Sequence, residues 1–164
     1  MESSLVVAQT FLDLAREKQV RISAGQVHKL VYFSHGLHLG AFSGVPLIDE
    51  DVLAWTFGPL IPELYNVVQR YANDLGYELP LTGMEPIRRN TDAFKSIESI
   101  WNAYGACSDR QLEVLTRTPG APWDEVWNGD EEHFKAIPRT VMQKYYDRAI
   151  RKSRMSSALP NTRA

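Results

Sequence analysis

The chain has 164 residues, 44% of them hydrophobic and 23% charged, a net charge of −2 and one cysteine, Cys107. This length supports one domain with a sizeable core, and a lone cysteine excludes an internal disulfide and fits a reducing cytoplasm. No apolar run approaches the ~20 residues of a membrane helix, and the opening MESSLVVAQTFLDLAREK lacks the basic segment of a signal peptide.

The first helix is expected to start after Ser3 or Ser4 and to reach about Lys18, with Val7, Phe11, Leu14 and Ala15 on one face. The second opens on a capping box, Ser23-Ala-Gly-Gln26, with Ile22 and Val27 at the spacing of a hydrophobic staple. It carries two apolar stripes: Val27, Leu30, Val31 and Leu37, then Tyr32, Leu39 and Phe42 with His28 and His35. A helix apolar on most sides sits centrally in a fold. Gly36 and Gly40, four apart, would admit a close neighbour.

Gly44-Val-Pro46 turns the chain into two short extended pieces, Leu47 to Glu50 and Val52 to Phe57. Gly58-Pro59 is expected to stop the second, and a third helix to start near Leu60 with Leu64, Val67, Val68 and Tyr71 inward. Residues 74–90 read as a loop with room for a short strand. A helix follows over about Asp92 to Tyr104, then a second capping box, Ser108 to Gln111, opens a short helix through Thr116. Pro122 restarts the chain as a helical N1 residue, which makes Trp123 and Trp127 neighbours four apart. Pro138 opens the last helix, and residues 153–164 read as a frayed tail. The expected fold is mainly α, of the α+β kind: six or seven helices packed around a central buried one, with a small β insertion, as a single domain over residues 1–152.

Chemical motifs are sparse. His35 and His38 have the i,i+3 spacing of helical zinc ligands, but no HExxH pattern, cysteine or flanking acid completes a site. Ring packing plus a hydrogen bond is the expected role, and no metal is expected. Ser34 and His35 point about 100° apart on a helix and cannot pair as nucleophile and base. Asp49-Glu50-Asp51 lacks the glycine and distal glutamate of a calcium loop and reads as a solvated turn. No phosphate-binding glycine loop is present. The chain is therefore expected to be neither an enzyme nor a cofactor protein. Charge is uneven: from Arg139 onward seven basic residues face one acid, Asp147, giving +6 against −8 for the preceding body. That strip leaves open a nucleic-acid reading on Arg148, Arg151 and Lys152.

One ordered series is more specific. Lys29, Leu30 and Tyr32 lie on the second helix; Gly44, Pro46 and Leu47 follow in the turn; Ala54, Trp55, Gly58 and Pro59 end the strand; Pro62, Leu64 and Tyr65 begin the next helix. This order resembles the SocA-like family of bacterial and phage antitoxins, the Panacea domain. A looser second block, Pro122-Trp123, Gly129, Ile137 and Tyr145-Tyr146, extends the likeness to roughly residues 5–150. Ser34-His35 and Thr56-Phe57 depart from the family pattern. The resemblance implies a non-enzymatic protein that neutralises a toxin or a host defence protein by direct binding. The partner's gene would be the adjacent one, and a AAA+ protease would enter where the antitoxin acts as an adaptor. Candidate partner contacts are Trp55, Phe57 and Pro59 in the β insertion, with Trp123 and Trp127 beyond the proline loop; each is open to a second reading as core.

Overall fold

The computed structural model describes residues 1–71, 79, 81, 83–130 and 134–158. Helix α1 (Ser4–Glu17) is capped by the Ser3 hydroxyl, which accepts from the Leu5 amide. A second cap comes from far along the chain. The Ser4 amide and hydroxyl both donate to Glu50 Oε1, at 2.9 and 2.6 Å. An anion at a helix start satisfies orphan amides and complements the dipole, so Glu50 anchors α1 where the sequence suggested only a solvated turn. Alongside it, Glu2 and Ile48 form a parallel bridge.

Helix α2 (Ala24–Ala41) is the centre of the fold, and the expected capping box is present. Gln26 N donates to Ser23 Oγ at 3.1 Å, and Ser23 N donates to Gln26 Oε1 at 2.6 Å. Val27, Leu30, Val31, Tyr32, Phe33 and Leu39 are buried on its several faces. Around it pack α1, α3 (Pro62–Tyr71), α4 (Asp92–Tyr104), α5 (Asp109–Thr116) and α7 (Arg139–Ala158), with α6 (Pro122–Val126) against α7. The two helix glycines set the closest approach. A Cβ on Gly36 would enter the Tyr146 ring, and one on Gly40 would lie 2.7 Å from the Asp147 amide nitrogen.

The β insertion is a three-stranded antiparallel sheet of order β2-β1-β3, from β1 (Leu53–Trp55), β2 (Gly58–Leu60) and β3 (Lys135–Ala136). Gly58-Pro59, expected from sequence to be a stop, is instead the start of a returning strand: Thr56 and Phe57 make the turn of a hairpin in which Trp55 pairs with Gly58 and Ala54 with Pro59. Gly58 has φ +123°, a conformation that side-chain-bearing residues rarely adopt. Proline is tolerated on an edge strand such as β2, where its missing N–H costs no ladder bond. Helix α3 therefore starts at Pro62 rather than Leu60, and Tyr71 is 37% exposed rather than inward.

The α4 and α5 spans match the sequence expectation, and the Ser108–Gln111 capping box forms. Helix α7 continues through Ala158, past residue 152 where the sequence placed the domain's end. Most of the loop read at 74–90 before Gly83, and the tail after Ala158, lie outside the described residues.

Candidate functional site

Four of the five aromatic and proline candidates at the β insertion and proline loop are joined in one continuous run. Trp55 leaves β1 on the outer face, opposite buried Ala54, because alternate strand residues point to opposite sides. Its ring meets Phe57 edge-on at 5.2 Å, Tyr65 of α3 at 5.5 Å and Phe134 at 6.2 Å. The Trp55 carbonyl accepts from Trp123 Nε1 at 2.6 Å, across 68 residues of sequence. Trp123 in turn stacks on Trp127, with centroids 5.7 Å apart and planes 16° apart. The Arg117 guanidinium lies 5.2 Å from the Trp123 ring centre.

Exposure divides this run into buried and exposed rings. Trp123 is buried and holds the hairpin to α6, while Trp55 and Trp127 are half-buried. Phe57 is 61% exposed and Phe134 38%. Edge-to-face packing fixes such rings at low entropy cost, leaving a preorganised apolar face. Pro59, a sequence candidate for partner contact, is buried in β2 on the opposite side from Trp55; strand alternation turns it inward. Sequence reasoning placed Tyr65 in the ordered series but selected neither it nor Phe134 as a candidate contact. The available signal for Phe134 was the alternation Phe134-Lys-Ala-Ile, too short to separate a strand from a loop.

Two histidines of α2 hold the chain on either side of the hairpin, His28 at its exit and His35 in the segment that leads to it. The Ile61 amide, just past β2, donates to His28 Nε2 at 3.0 Å, and the Ile48 amide donates to His35 Nδ1 at 3.4 Å. An imidazole nitrogen that accepts must be unprotonated, so both rings are neutral, with the proton on the other nitrogen. Burial is the main cause that lowers both: His28 falls to about 4, with Lys29 adding to the effect, and His35 to about 3, with Arg139 and His38 adding. His38 Nδ1 lies 2.8 Å from Ser96 Oγ and links α2 to α4. These three rings face different neighbours. Among the described residues no group of three His, Cys, Asp or Glu side chains is arranged to hold a metal ion. Ser34 Oγ donates to the Val31 carbonyl at 2.9 Å, inside its own helix.

Beside the aromatic face lies a cleft of 180 Å³ between α2, the hairpin and α3, lined by His28, Lys29, Trp55, Phe57, Tyr65 and Asp109 among others. Lys29 Nζ and Asp109 Oδ1 close one end at 2.6 Å. The acid sits directly over Gly25, where a Cβ would lie 2.5 Å from its oxygens. The basic residues of α7 are apart from this face in the chain's layout: Arg148, Arg151 and Lys152 are exposed, and Arg151 is tied to Asp147 at 3.1 Å. Among the described residues no helix is long and apolar enough to cross a membrane.

Residues 27–124 match the family model described as Antitoxin SocA-like, Panacea domain. The chain is 33% identical to the antitoxin SocA of Caulobacter vibrioides (strain NA1000 / CB15N) over 133 residues, 75% of this chain and 69% of that protein. No solved structure matches. The matched segment contains α2, the hairpin, α3 and the Trp123 anchor.

Proposed function

The chain belongs to the SocA-like, Panacea-domain antitoxin family, and from that premise we propose that it neutralises a toxic protein by binding it directly, without turning over a substrate. The observation that carries this reading is the braced aromatic face. Phe57 stands 61% exposed on a hairpin held by Trp55, by Trp123 and, at its exit, by the neutral His28. Exposed aromatics on a rigid support are the residues that dominate protein–protein affinity. Phe57 and Trp55 form the centre of the contact; Trp123, Trp127 and Pro59 support it from within. The partner is a toxin or host defence protein, with the adjacent gene as its first candidate source. Delivery of that partner to a AAA+ protease is the alternative route to the same neutralisation.

The test is co-expression with the adjacent gene's product, scoring growth and co-purification together. Wild type rescues growth and retains the toxin in a stable complex. Phe57→Ala keeps its circular dichroism and thermal midpoint but loses at least tenfold in affinity, the scale of a truncated interface anchor. Rescue accompanied by disappearance of the toxin would instead indicate proteolytic delivery. A nucleic-acid mode would show salt-steep DNA binding that weakens on replacing Arg148, Arg151 and Lys152.

A further inference from the structure

A groove of 600 Å³ opens between α2, α4, the α5–α6 connection and α7, lined by none of the rings of the aromatic run described above. Its walls are apolar, from Phe33, Leu37, Ile100, Ala103, Leu115 and Ile150. Four phenols converge on it, those of Tyr32, Tyr104, Tyr145 and Tyr146. Burial raises Tyr32, Tyr104 and Tyr146 above the ordinary phenol range, so these hydroxyls stay protonated. The Tyr32 hydroxyl is sealed from solvent beside the Tyr146 phenol without a well-formed hydrogen bond among the described residues.

Charge in the groove has one sign. Among the described residues no carboxylate lines it, and Arg154 is its single charged residue. Arg154 is exposed on the outer wall and has no ion-pair partner among the described residues, unlike Arg151 one turn earlier on α7. A recessed apolar space of several hundred Å³ with a few convergent polar groups is the form of a small-molecule site. It differs from the aromatic face, where the apolar rings project outward. We propose that the groove binds a small amphiphilic anion, its apolar chain or ring against Phe33, Leu37 and Ile150 and its anionic end at Arg154. This inference is independent of the toxin reading.

Calorimetric titration of the full chain with sodium decanoate, kept below its self-association range, tests it. The expected result is saturable binding at one decanoate per chain. Arg154→Gln weakens it about tenfold, by loss of one charge-assisted hydrogen bond, while affinity for the neutral decanol is unchanged by that substitution. Ala103→Trp, at an exposed position of α4, fills the groove and abolishes binding of both with the thermal midpoint retained. Heat without saturation, or decanoate binding untouched by Ala103→Trp, would overturn the proposal. So would a wild type that takes no decanoate while Ala103→Trp abolishes toxin neutralisation, since the groove would then seat a protein side chain.

Discussion

His28 and His35 act on the β insertion through one property, the capacity to accept a backbone amide while neutral. Protonating either ring replaces an acceptor with a donor pointed at a donor. The folded chain resists this until about pH 4 for His28 and about pH 3 for His35, whereas the unfolded chain takes up both protons near 6.5. Since the unfolded state binds more protons below 6.5, stability is complete above that pH and falls as the pH drops beneath it. Each histidine contributes a slope of about 1.4 kcal/mol per pH unit. Urea midpoints between pH 7.5 and 5 should therefore decline, and His28→Gln, which keeps an amide oxygen as acceptor, should remove about one proton's share of the slope. An unchanged slope in that variant would show that His28 titrates freely in the folded protein. Phe57 stands at the other extreme of residue behaviour. It is 61% exposed, so its truncation is expected to spare stability and reduce partner affinity.

At the scale of elements, α2 and α7 meet where glycine removes the side chain. Gly40→Ala would place a methyl group 2.7 Å from the α7 backbone at Asp147, against atoms that cannot rotate away. Alanine gains about 1 kcal/mol of helix propensity over glycine, but forcing two packed helices apart costs about 1–3 kcal/mol. The net expectation is destabilisation despite better propensity, read as a lower thermal midpoint; a stabilised Gly40→Ala would mean that the helices are not in contact there. This close approach was legible in the sequence, because glycines four apart in an otherwise apolar helix have few other uses. Helix starts were legible too: both capping boxes rest on side chains within three residues of the amide they serve. The hairpin was less so. Gly58-Pro59 is a breaker by local rules, and only pairing with β1 and burial against α5 make it a strand. The two-residue β3 has too little alternation to be seen in sequence at all.

Taken as a whole, the molecule assembles its candidate site from distant parts. Trp55 and Trp123 are joined across 68 residues, and Phe134 adds a ring from a third segment. Residue type identified the aromatics, since rings in short irregular segments must be either anchors or supports. Which role each plays depends on the sheet's inner and outer faces, so Pro59 turned inward while Phe57 remained outside. The Glu50 cap on α1 shows the same limit, since its partner is 46 residues away. Family membership supplies the antitoxin context, and in the function proposed above the exposed aromatic face is where a toxin would be held. The basic end of α7 is the competing surface, the helix carrying +5 against an acidic body. The most direct measurement is site-specific photo-crosslinking in cells co-expressing the adjacent gene's product, with the crosslinker at position 57 or at position 152. Direct binding through the aromatic face predicts a covalent adduct with the toxin from position 57 and none from 152. Adducts from 152 alone, to the toxin or to DNA, would contradict it.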